Sequence, residues 1–100
     1  MTNVDSGPPG ETARGFRIRG RVQGVGFRLW VVRTAESAGL RGWVRNTSDG
    51  AVELHLSGDE AGMRLMEWEL PRGPRGARVD DVHSIPVALD LPRRGIEVRE

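Results

Sequence analysis

Eight consecutive residues, Arg21-Val22-Gln23-Gly24-Val25-Gly26-Phe27-Arg28, concentrate the chemistry this chain can offer. Gly24 and Gly26 lack Cβ atoms, so the backbone from Gln23 to Phe27 can turn until successive N–H groups face one concavity. Helical periodicity begins at Phe27, and a helix starting there adds its own unpaired N–H groups and the positive end of its dipole. Arg28, in the first turn, brings a planar and permanently charged fork to the same place. Such a concavity fits a compact anion such as phosphate. The stretch matches neither GxxxxGK[ST] nor GxGxxG, the two common nucleotide motifs. Taken alone, the glycines better fit a plain turn followed by a solvated arginine.

A second polar candidate, Asn46, must be positioned by its strand. Val44 and Asn46 share one face there, and Trp43 and Arg45 share the other. If Val44 packs beneath helices, Asn46 points the same way, close to the strand's end and within reach of the anion cradle. The competing role for Asn46 is hydrogen bonding within its own hairpin, which Asn before a turn often does.

The elements that must hold these residues follow from periodicity. Phe16, Ile18 and Val22 alternate with Arg17, Arg19 and Arg21, which predicts a half-buried strand from about Arg14 to Val22. A helix is expected from Arg28 to about Ala38, with Leu29, Val32 and Ala35 on its apolar stripe, widened by Val31 and Ala38. Gly39-Leu40 reads as its C-terminal cap. A strand over Arg41 to Thr47 leads to Asp49-Gly50, a two-residue hairpin signal, and then to a strand through Val52, Leu54 and Leu56. Ser57 and Glu60 have capping-box spacing before a second helix with Met63, Met66 and Leu70 inward. Ala77 to Val87 reads as a fourth strand, with Pro86 marking an edge or an end, and Ile96 and Val98 as a short last one. The order predicts an α+β fold: a ferredoxin-like βαββαβ sandwich, with an antiparallel sheet and two helices on one face. Residues 1–13 read as a flexible N-terminal tail and 14–100 as a single domain.

Gly20-Arg-Val-Gln-Gly-Val-Gly-Phe-Arg28, followed by Gly42-Trp-Val-Arg-Asn46-Thr-Ser-Asp-Gly50, resembles the two signature blocks of the acylphosphatase family, in the correct order. The likeness runs from about Arg14 to Arg99. It implies the same sandwich and an enzyme that hydrolyses the carboxyl–phosphate bond of acyl phosphates. On this resemblance, Arg28 and the amides of Gln23, Gly24, Val25, Gly26 and Phe27 bind the phosphoryl group, and Asn46 orients the attacking water. No cofactor and no metal are implied. Two departures lie away from the signature blocks: one extra residue in the second helix before Gly73-Pro74, and Ile96 where an aromatic is common.

The residues themselves restrict the reaction in the same direction. The chain has no cysteine, no lysine, no HExxH and no carboxylate cluster beside the candidate site, so thiolate, Schiff-base and metal-assisted routes lack their side chains. Amides, one arginine and one asparagine can bind phosphate and position water but give little help to a poor leaving group. An acyl phosphate expels a carboxylate unaided, whereas a phosphate monoester does not. His55 and His83 are isolated in sequence and read as structural or surface residues.

Two other functions share the pattern. A nucleic-acid-binding module of the same topology would use an open sheet face carrying Arg17, Arg19, Arg21, Trp43 and Arg45, although Ala51 to Ser57 bears no RNP1 pattern. An acylphosphatase-like module handling carbamoyl phosphate within a larger maturation enzyme is the other, but Leu29 stands where those modules favour proline. The composition, with 37% hydrophobic and 29% charged residues and a net charge of +1, predicts a folded protein without a membrane span. The expectation is a cytoplasmic monomer acting on a small molecule, with no nucleic-acid or membrane partner.

Overall fold

The computed structural model describes residues 10–100. Alternating apolar and arginine residues produce β1, Glu11–Arg21, with Phe16 and Ile18 buried. Then come α1, Phe27–Ser37, β2, Arg41–Asn46, β3, Val52–Asp59, α2, Glu60–Glu69, β4, Arg78–Ile85, and β5, Ile96–Arg99. The strands form one sheet in the order β4-β1-β3-β2-β5. Its first four strands pair antiparallel, as expected, but β5 runs parallel to β2, with Val98 opposite Val44, so the sheet is mixed. A parallel neighbour requires a crossover, and residues 86–95 supply it. Both helices cover one face, α1 over β2 and β5 and α2 over β3 and β1. Between helices and sheet lies a core of Ile18, Phe27, Val31, Val44, Leu54, Leu56, Met63, Met66 and Leu70, each almost fully buried.

Several local expectations change in detail. β1 begins at Glu11, ahead of the boundary drawn at residue 14. Thr12 Oγ1 donates to Glu60 Oε1 (2.8 Å) and Arg41 pairs with Glu11 (3.3 Å), which extends ordered structure to residues 11–13. The remaining tail, residues 1–9, lies outside the described residues. Ser57 is no helix cap. It stays in β3, near Arg41 Nη2 (3.4 Å), while Asp59 occupies the cap position and Glu60 opens the helix. Nor is Asp49-Gly50 a two-residue hairpin. Gly50 N–H reaches back to Thr47 O (3.3 Å), and Gly50, with φ 92°, is the third residue of a three-residue loop, Ser48 to Gly50, closed by the bond from Thr47 N–H to Ala51 O (2.9 Å). On α1 the buried residues are Phe27, Val31 and Ala35, and Leu29 faces outward. The Gly39-Leu40 cap forms as expected, Leu40 N–H bonding Ala35 O (2.9 Å) and Gly39 N–H bonding Glu36 O (3.0 Å). β4 is an edge strand, and Pro86 lies just past its end.

The sheet face away from the helices is not open at Trp43. The indole is 7% exposed and packs against the His55 ring, centroids 4.4 Å apart. Its Nε1 donates to Asp90 (3.2 Å), and the Arg99 guanidinium lies over its ring (4.7 Å). The crossover lies across this face, with Ala88 N–H bonding His55 Nδ1 (2.9 Å) and Arg41 bonding Pro92 O (2.8 Å). Because Nδ1 accepts, the proton sits on Nε2, which donates to Glu53 (2.6 Å). His55 is therefore structural, as its isolation in sequence predicted.

Burial opposes ionisation of Glu53, but hydrogen bonds from His55 and Arg45 outweigh it and hold the carboxyl below its ordinary 4.5. A depressed folded-state pKa stabilises the fold above pH 4.5 and loses that contribution as pH falls through the lowered value. Glu53→Gln should therefore cost about 1–3 kcal/mol at neutral pH. The deficit should shrink on acidification below 4.5. Urea unfolding of both proteins across pH checks this. A deficit that stays constant with pH would assign it to packing instead.

Candidate active site

The turn between β1 and α1 is built as its glycines require. Gly24 and Gly26 have φ of 76° and 79°, the left-handed region. A Cβ added at either would meet nothing within 4 Å, so backbone angle rather than space selects glycine there. Gly26 is also the N-cap of α1. No side chain caps this end, and no acidic residue stands in its first turn. The first helical bond runs from Trp30 N–H to Gly26 O (3.0 Å). The preceding N–H groups have no helical acceptor, and no first-turn carboxylate offsets the dipole.

These groups border a cavity of about 310 Å³ lined by Val22, Gly24, Gly26, Phe27, Arg28, Leu29, Asn46 and Val98. Arg28 is half-buried and makes no ion pair among the described residues, whereas Arg14, Arg17, Arg19, Arg41, Arg45, Arg64, Arg78 and Arg99 are all paired. Asn46 shares the helix-facing side of β2 with Val44, as strand parity predicted. Its Oδ1 is buried without a hydrogen-bond partner. The hairpin is instead bonded by Thr47, whose Oγ1 accepts from Ala51 N–H (3.1 Å). The turn role thus belongs to the next residue, and the Asn46 amide is left to the cavity.

Of the seven residues singled out by sequence, Gly24, Gly26, Phe27, Arg28 and Asn46 meet at this cavity. Phe27 has its ring in the core, 1% exposed, so only its N–H is available there. Val25 packs against the core. Gln23 directs its side chain elsewhere, Nε2 donating to Thr47 O (2.9 Å) and Ala51 O (2.8 Å). It ties the glycine turn to the hairpin that carries Asn46, a role its position between strand and turn did not disclose.

Asp49 adds a second tie. It accepts from Arg17 (3.4 Å) and Arg19 (3.3 Å) of β1. Its carboxyl is held below the usual range first by the hydrogen bond from Thr47, against a desolvation penalty, with Arg19 and Arg17 adding attraction. Leu29 and Val98 at the cavity were also missed, although Val98 shares a strand face with the buried Ile96, a signal that could have placed it. Among the described residues, no group of three or more His, Asp or Glu side chains could hold a metal ion.

The arrangement can hold a tetrahedral anion between uncapped amides and a guanidinium, with an amide oxygen free to accept from a water beside it. Comparison with known proteins identifies the family. The family model described as Acylphosphatase matches residues 14–95. The chain is 49% identical over 80 residues to an acylphosphatase of Nitrobacter winogradskyi, covering 80% of this chain and 81% of that one. The structure is similar to that of an acylphosphatase from Coxiella burnetii, with a TM-score of 0.82 and 34% identity, over 90% of this chain and 94% of that chain. It also resembles part of full-length HypF in its phosphate- and nucleotide-bound form, with a TM-score of 0.79 and 26% identity, over 96% of this chain but 13% of that one. A matching family model across most of the chain, and a relative identical at half the aligned positions, establish that this protein belongs to the acylphosphatase family.

Proposed function

We propose that the cavity between α1 and β2 is where this acylphosphatase hydrolyses its substrate, with Arg28 and the amides of Gln23 to Phe27 holding the phosphoryl group and Asn46 orienting water. The observation that carries this reading is the buried, unpartnered Asn46 Oδ1 in the same cavity as an unpaired guanidinium. A buried polar atom without a partner costs about 1–3 kcal/mol, and a water donating to Oδ1 would remove that cost. In the reaction, the water oxygen attacks phosphorus while the bond from phosphorus to the carboxylate oxygen breaks. The bonding pair leaves with the carboxylate, and a phosphate oxygen of the substrate takes the water's proton. The uncapped N–H groups and Arg28 stabilise charge on the equatorial oxygens, which with positioning is the main source of phosphoryl-transfer catalysis.

The proposed setting is a cytoplasmic monomer acting on a small molecule without cofactor. Sedimentation of the purified chain tests the monomer clause. The nucleic-acid reading lost its stacking surface when Trp43 was covered by His55, Arg99 and the crossover. Phosphate release from acetyl phosphate should proceed undiminished in excess EDTA, and inorganic phosphate should inhibit competitively. Activity that disappears with EDTA and returns with magnesium would overturn the mechanism.

A further inference from the structure

The cradle accounts for one side of the cavity, and the other side is apolar. Leu29 on α1 and Val98 on β5 are 55% and 52% exposed, yet both border the cavity, beside the buried Val22. Val98 reaches it because it shares the helix-facing side of β5 with Ile96, and the parallel pairing with β2 carries that side toward Asn46. Arg28 is the one charged residue in the lining, and the anion cradle claims it. A carboxylate, ammonium or second phosphate on the acyl portion of a substrate would find no partner there. A cavity of about 310 Å³ is at the small end for ligand sites, which limits the acyl group in size as well as polarity.

We infer that Leu29 and Val98 form the acyl-group subsite and that the preferred substrates are acyl phosphates with small, uncharged, apolar acyl chains. The inference rests on the proposed function of the same cavity. Contact with an alkyl chain removes part of both exposed side chains from water, and each buried methylene favours the longer substrate.

The test compares butanoyl phosphate with acetyl phosphate, whose carboxylate leaving groups have nearly equal basicity, so that a rate difference reports the two extra methylenes. The wild-type chain should favour butanoyl phosphate by about tenfold in kcat/KM. In the Leu29→Ser/Val98→Ser double variant the preference should fall to near unity, while the phosphate inhibition constant shifts less than twofold. Leu29→Met, which keeps the apolar contact, should retain most of the preference. Because both side chains are half exposed, the substitutions remove no core packing, and circular dichroism confirms folding. A wild-type ratio near one, or a preference that survives in the double variant, would overturn the subsite. Wild-type protein that turns over neither acyl phosphate but still binds phosphate would overturn the proposed function itself.

Discussion

Arg28→Ala should lose on the order of 10³-fold in kcat/KM toward acetyl phosphate, with both kcat and KM affected. The guanidinium would meet the phosphoryl group in the ground state and meet more negative charge on its oxygens in the transition state, so neither constant escapes. Arg28→Lys should recover little, because an ammonium delivers a point charge where a two-pronged fork is needed. Stability should behave in the opposite sense. Arg28 makes no ion pair among the described residues and is half-buried, so its removal breaks no ion pair and relieves a partly desolvated charge. The unfolding midpoint should hold or rise, as expected where function is maintained at the expense of stability. Near-normal kcat/KM in Arg28→Ala would show that the cradle lies elsewhere.

Asn46→Ala should lower kcat by about 10²–10³-fold while leaving the phosphate inhibition constant within a factor of a few. That split distinguishes positioning of water from gripping of phosphate. The thermodynamic expectation is equally specific. Oδ1 has no hydrogen-bond partner in the protein, so deleting it breaks no intramolecular bond and removes a polar atom that only a bound water can satisfy. The inactive variant should be at least as stable as wild type. A hairpin residue would behave in reverse, with normal turnover and a lowered midpoint. Measuring kcat, phosphate inhibition and urea unfolding on this one protein decides between the two, and the hairpin outcome would remove Asn46 from the mechanism.

Most of the fold was legible because each element has one dominant period. Phe16, Ile18, Leu54 and Leu56 alternate, Met63, Met66 and Leu70 recur helically, and all are buried where expected. The readings that failed were those in which one short pattern serves two geometries. Ser57 and Glu60 have the spacing of a capping box, but pairing of β3 with β1 and β2 keeps Ser57 in the strand and moves the cap to Asp59. Asp49-Gly50 signals a tight turn, but sequence does not say whether its glycine is the second or third loop residue. Leu29 fits a helical stripe, and only packing against β2 and β5 reveals that the stripe is centred on Val31.

At the site, the resemblance to two signature blocks, with strand parity for Asn46, singled out Gly24, Gly26, Arg28 and Asn46, and these four border one cavity. What they could not convey was the long-range bonding that fixes one relative to another. The Gln23 side chain spans to the backbone of Thr47 and Ala51, and Asp49 to Arg17 and Arg19. Such ties connect residues tens of positions apart and leave no periodic trace.

The central place of β1 has a consequence for synthesis. Gly15 pairs with His55 on one side and Ile85 on the other, 40 and 70 residues further along the chain. The strand made first therefore waits roughly 4–14 s, at about 5–20 residues per second on the ribosome, for its last partner. During that wait Phe16 and Ile18 have no core to enter, and both edges of the strand are open to a neighbouring nascent chain. Arg17, Arg19 and Arg21 place a charge at every second residue of that exposed edge, a pattern that deters pairing with another chain. The arginine face thus guards the unfinished protein before it secures the finished hairpin.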